Sequence, residues 1–126
     1  MISSVLNKPI TFPMPQFVVQ NKLASLNEYN VAAALEAEQI EYKFRVAFWN
    51  GKRLRGGIEI DFLYGPFDDL LEVMGDYWHT GQFTAADILR TNLIETEFGK
   101  KITFIWGNES MTVLDARNAL RKKLRL

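Results

Sequence analysis

The sequence predicts a small α/β domain, with a mixed four-stranded sheet flanked by helices and one extra helix at the C-terminus. Three observations lead there. Strand-like alternation recurs in four short segments. Two helix-like segments that open on capping residues precede the first strand and separate the fourth from the other three. The segment order, α-β-β-β-α-β-α, is that of a mixed sheet with helices packed on it.

Each element has its own signal. Residues 1–23 hold three prolines and few helix formers, and read as an N-terminal arm. Ser25 and Glu28 make a capping-box spacing, and Ala32, Ala33, Ala34 and Leu35 favour helix, so a helix is expected over Ser25–Gln39. Tyr42, Phe44, Val46 and Phe48 alternate with more polar residues, which predicts a strand with those four on one face. Asn50-Gly51 is a turn signal and Gly56-Gly57 closes the loop. Ile58–Tyr64 is a second strand, with Ile58, Ile60 and Phe62 expected on one face and Glu59, Asp61 and Leu63 on the other. Leu70–Met74 is a third, ended by Gly75.

Thr84–Phe98 repeats the capping spacing at Thr84 and Asp87, with Ala85, Ile88, Leu89 and Leu93 as its expected core face. Gly99 stops it. Lys101–Trp106 is mostly apolar, a strand expected to be buried on both faces. Ser110–Leu126 reads as an amphipathic helix through Val113, Leu114, Leu120 and Leu124. The organisation is thus an arm (1–23), a core (24–107) and a basic C-terminal helix (108–126).

Composition narrows the function. The chain has 126 residues, no cysteine and a formal net charge of zero. Disulfides and cysteine-held zinc are excluded. No stretch reaches the ~18 apolar residues of a membrane span, and no signal peptide opens the chain, so a cytoplasmic protein is expected. Neutrality argues against a wholly basic nucleic-acid binder. Yet five cations and no acid lie from Arg117 onward, and Lys52, Arg53 and Arg55 form a second cluster.

Asp61 and Glu72 sit on successive strands joined by a short turn, so a hairpin can bring both carboxylates to one edge. Two hard oxygen ligands suit Mg²⁺, which keeps waters and substrate phosphate oxygens around it. The plain alternative is a pair of solvent-facing strand acids. His79, the single histidine, can serve as general base or as a structural loop residue. Glu28 and Asp87 are explained by helix capping, and either can also face a metal. Lys52, Arg53, Arg55, Lys100, Lys101, Arg121 and Lys122 can grip a phosphate backbone or merely be solvated. Tyr77 and Trp78 can be core or can wedge between bases.

Taken together, Glu28, Ile60-Asp61-Phe62, Leu71-Glu72-Val73-Met74-Gly75, Tyr77-Trp78-His79, Asp87 with Arg90, and Ile102–Trp106 resemble one family. It is the very-short-patch-repair-like branch of the PD-(D/E)XK nucleases, which includes homing endonucleases with a Glu, Asp, His, Asp series. The resemblance covers residues 25–107 and is most specific over 61–87. It implies a restriction-endonuclease-like αβββαβ core and a Mg²⁺-dependent endodeoxyribonuclease, with Mn²⁺ as a possible substitute. The metal would be held by Asp61, Glu72 and the Val73 carbonyl, with His79 activating water. Tyr77, Trp78 and Arg90 would touch DNA. A homodimer would serve double-strand cutting, and a phage or mobile-element origin fits. Met74 stands where the family's lysine usually falls. The alternative is therefore an inactive nuclease fold kept for DNA binding or protein interaction.

Overall fold

The structure, a computed structural model, describes residues 16–48, 58–75 and 83–126. Strands β1 (Phe17–Val19) and β2 (Lys22–Ala24) form a hairpin, followed by α1 (Leu26–Ala37). Three strands come next, β3 (Tyr42–Phe48), β4 (Ile58–Tyr64) and β5 (Asp69–Met74). Then follow α2 (Ala85–Phe98), β6 (Ile102–Trp106), a 3₁₀ turn (Gly107–Glu109) and α3 (Val113–Lys123). The α/β class and the mixed four-stranded sheet expected from the sequence are present. The sheet order is β3-β4-β5-β6, with β3, β4 and β5 antiparallel and β6 parallel to β5.

Local chemistry explains the helix starts. Ser25 Oγ accepts from the Glu28 amide, and the Glu28 carboxylate accepts from the Ser25 amide at 2.8 Å. Thr84 and Asp87 repeat this reciprocal pair at the start of α2. Gly99 closes α2 at φ +65°, in the left-handed region. Ser25→Ala is expected to cost about 1 kcal/mol of stability, read as a lower urea midpoint with an unchanged m-value.

Two cores sandwich the sheet. The first joins Val31, Ala34 and Leu35 of α1, Phe44, Phe62, Leu71 and Ile105 of the sheet, and Ala116, Ala119 and Leu120 of α3. Phe62 sits at its centre, with ring centroids 5.1 Å from Phe44 and 5.7 Å from Tyr42. The second is smaller and joins Ile60, Leu63, Leu70 and Ile102 to Ile94 of α2. β6 thus has both faces covered, Ile102 in one core and Ile105 in the other. No helix among the described residues is long and apolar enough to cross a membrane.

Four expectations are corrected. The end of the expected arm is a β-hairpin that joins the domain: Phe17–Val19 pairs with Lys22–Ala24 of the same chain, through a Gln20-Asn21 turn with both φ positive. This hairpin is bonded to β3. The Gln20 side chain donates to the Tyr42 carbonyl and accepts from the Phe44 amide, so one amide side chain stands in for a neighbouring strand at the sheet edge. The expected core face of α2 is exposed at Ile88, Leu89 and Leu93, and Ile94 is the residue that turns inward. On α3, Leu114 faces out while Ala116 and Ala119 pack, because small residues let the helix approach α1 closely.

The fourth correction concerns β3 and β4. Phe44 and Val46 do not share a face, nor do Phe62 and Ile60. Phe44 and Phe62 enter the first core, whereas Val46 and Ile60 pack in the second. The reversal falls at Arg45 and Asp61. Register holds on either side (Phe44↔Phe62 and Val46↔Ile60), but these two residues are missing from the ladder. Arg45 has φ +52° in mid-strand, a conformation that costs a non-glycine residue about 1–2 kcal/mol.

Candidate active site

The β4–β5 ladder stops at Phe62↔Leu71. One step beyond lie Asp61 and Glu72, where the backbone pairing would otherwise continue. Asp61 instead turns its carboxylate to the neighbouring strand, and Asp61 Oδ2 accepts from the Val73 amide at 2.8 Å. Leu71 and Val73 belong to the α1 side of the sheet. Strand alternation therefore puts Glu72 on the α2 side, where Arg90 meets it.

Glu72 is 2 % exposed, which is unusual for a carboxylate. Burial pushes its pKa up to about 9, the Asp61 charge and a hydrogen bond with Asp61 push the same way, and Arg90 opposes them. Arg90 Nη2 lies 2.9 Å from Glu72 Oε1. One of its N–H groups is directed to the Glu59 carbonyl oxygen. Among the described residues Glu72 Oε1 therefore has an ion pair with Arg90 but no well-aligned hydrogen-bond donor.

The residues fit a hard divalent cation on this observation. Two carboxylates converge, and the buried oxygen of one has only the Arg90 ion pair and no aligned hydrogen-bond donor, which leaves it able to serve as a ligand. No third acid or histidine joins them among the described residues. Two carboxylates with water and phosphate oxygens completing the shell are what Mg²⁺ accepts. The Val73 carbonyl belongs to the same short stretch.

The other expected site residues divide into three groups. Glu28 is 8 % exposed, accepts from Ser25 and lies 3.4 Å from Arg45 Nη2. Its helix packs on the α1 side of the sheet, and Arg45, its ion-pair partner, stands across the ladder from Asp61. Asp87 accepts from the Thr84 amide and hydroxyl in the first turn of α2, one helical turn before Arg90. Lys100 pairs with Asp69 at 3.3 Å, Lys101 with Glu95 at 3.5 Å, and Arg121 with Glu38 at 2.6 Å, while Lys122 is exposed. Arg117 shares Glu38, and Lys123 reaches Glu109 and the Phe104 carbonyl. Much of the basic C-terminal run therefore clamps α3 to its own domain. The Glu38 carboxyl is held below its ordinary pKa chiefly by its hydrogen bond from Arg121. Lys52, Arg53, Arg55, Tyr77, Trp78 and His79 lie outside the described residues.

Sequence reasoning missed Arg45, Lys22 and the Glu59 carbonyl. Lys22 Nζ donates to the carbonyls of Phe44 and Arg45, at 2.9 and 3.0 Å. No pattern signals such contacts, because arginine is not a left-handed former and a backbone carbonyl has no sequence signature. The convergence of Asp61 with Glu72 was the legible part. A scan against protein-family models, a search of curated proteins and a search of solved structures each find no match for this chain.

Proposed function

We propose that this chain is a metal-dependent DNA endonuclease built on a restriction-endonuclease-like core. The observation that carries the reading is the convergence of Asp61 with the buried Glu72, whose Oε1 has no aligned hydrogen-bond donor. The resemblance of residues 61–87 to very-short-patch-repair-like nucleases supplies the substrate class.

Asp61, Glu72 and the Val73 carbonyl would hold the Mg²⁺ or Mn²⁺ ion. When bound, such an ion draws charge from a phosphate oxygen and eases ionisation of water. The chain does the rest. Asp61 is held in place by the Val73 amide, so its carboxylate needs little reorganisation. Glu72 gives up its proton as the site fills. Arg90, half-exposed beside Glu72, meets the phosphate from the α2 side. His79 takes the proton of the attacking water.

A nicking assay on supercoiled plasmid with the full chain tests this. Cleavage is expected with Mg²⁺ or Mn²⁺ and none in chelator. No cleavage under any of these ions would reject the reading. Two observations favour a second outcome: Arg90 is already paired with Glu72, and Met74 stands where the resembled family usually has lysine. A nuclease fold kept for binding would retard DNA with a steep salt dependence and hydrolyse nothing.

A further inference from the structure

Arg45 has a left-handed backbone in the middle of a strand, far from any turn. The other non-glycine residues with positive φ among those described all lie in turns or just past helix ends. Such an outlier persists only where its surroundings hold it. Here they do so at three points. Lys22 Nζ bridges the carbonyls of Phe44 and Arg45. Gln20 pins the Phe44 amide. Glu28, itself fixed by Ser25, lies 3.4 Å from the Arg45 guanidinium. These groups come from the N-terminal hairpin and the first turn of α1, and none of them touches Glu72.

Across the ladder from Arg45, Asp61 is the one position in β4 between Glu59 and Tyr64 with no β3 partner. An ordinary strand conformation at residue 45 would continue the pairing through Asp61 and keep its backbone in line. The reversal at residue 45 frees it, and its carboxylate then reaches the Val73 amide beside Glu72.

We propose that Arg45 is a positioning residue: its left-handed backbone, clamped by Lys22, turns Asp61 out of the sheet ladder and onto the Val73 amide. The capping acid Glu28 acts here through Arg45 rather than at the reacting atoms. This assignment rests on the reading of Asp61 as a site residue given above, but its test does not depend on cleavage.

The reporter is the Val73 amide, followed by hydrogen exchange in the full-length protein. Arg45→Gly keeps the exchange protection of Val73, since glycine adopts positive φ freely. Arg45→Val strongly disfavours that conformation, and Val73 protection falls about tenfold or more. Mn²⁺ affinity, by calorimetry, falls about 10–100-fold in Arg45→Val, the range for losing a group that orients a metal ligand. Lys22→Met, a change at an exposed side chain, also lowers Val73 protection, and Lys22→Arg restores it. It decides the matter if Arg45→Val does not fold. Unchanged Val73 protection in the folded valine variant, or in Lys22→Met, overturns the proposal, as does equal loss in the glycine variant. Wild-type protein that binds no Mn²⁺ would sink the cation reading, and the amide comparison would still decide the role of Arg45.

Discussion

An Asp61→Ala protein is expected to keep its fold and to lose metal-dependent DNA cleavage by on the order of 10³-fold. Removing Asp61 takes away one of two carboxylates that converge on the site, and nothing else among the described residues can replace it. The cost to folding should be modest because two effects oppose each other. The Val73 amide loses its acceptor, while Glu72 loses a neighbouring charge that raises its pKa. Asp61→Asn separates the roles. Asparagine still offers an oxygen to the Val73 amide but brings no charge, so it should fold like wild type and cleave as poorly as alanine. Circular dichroism and thermal melting establish the fold, and plasmid nicking reads the activity. Strong cleavage by a correctly folded Asp61→Ala protein would remove the carboxylate pair from the mechanism.

Glu72→Gln is expected to reverse the usual cost of mutating a buried residue. Glu72 is pushed up to about 9 in the folded protein, against 4.5 for an ordinary glutamate carboxyl. Between those values the folded chain holds a proton that the unfolded chain has released. The stability this proton confers is complete below about pH 4.5 and is lost progressively as pH rises toward about 9. The slope is at most about 1.4 kcal/mol per pH unit. Wild-type protein should therefore be more stable at pH 5.5 than at pH 8. Glutamine mimics the protonated acid and does not titrate, so this slope disappears. Between pH 5.5 and pH 8 the variant should gain up to about 3 kcal/mol on wild type, because the wild-type unfolded chain has released a proton that its folded chain still holds. Arg90 is left without its partner but is 39 % exposed and can be hydrated. Urea melts at pH 5.5, 7 and 8 give the comparison, and parallel profiles for the two proteins would contradict it. The same variant should fail to cleave DNA.

The exposed row on α2 shows where pattern reading stops. Ile88, Leu89 and Leu93 recur at helical spacing, and that spacing correctly identified a helix. Which side of the helix meets the sheet was decided elsewhere. Ile94 is fully buried against Ile60, Leu63, Leu70 and Ile102, and Arg90 is drawn in by Glu72. The basic C-terminal run is a similar case. Its charge was plain in the sequence, but Glu38 and Glu109 engage three of its five cations. A count of cations cannot show which acids will stand opposite them.

Legible in the chain alone were the order of elements from α1 onward, both capping boxes, the glycine stop after α2 and the adjacency of Asp61 to Glu72. These are short-range matters, governed by φ/ψ preference, alternation and turn length within a few residues. Tertiary structure alone decided that Glu72 is buried, that Arg90 faces it, and that the sheet reverses its faces at Arg45 and Asp61. Those outcomes need groups distant along the chain, Lys22 on Phe44 and Arg45 above all, to hold a backbone conformation its own residue disfavours.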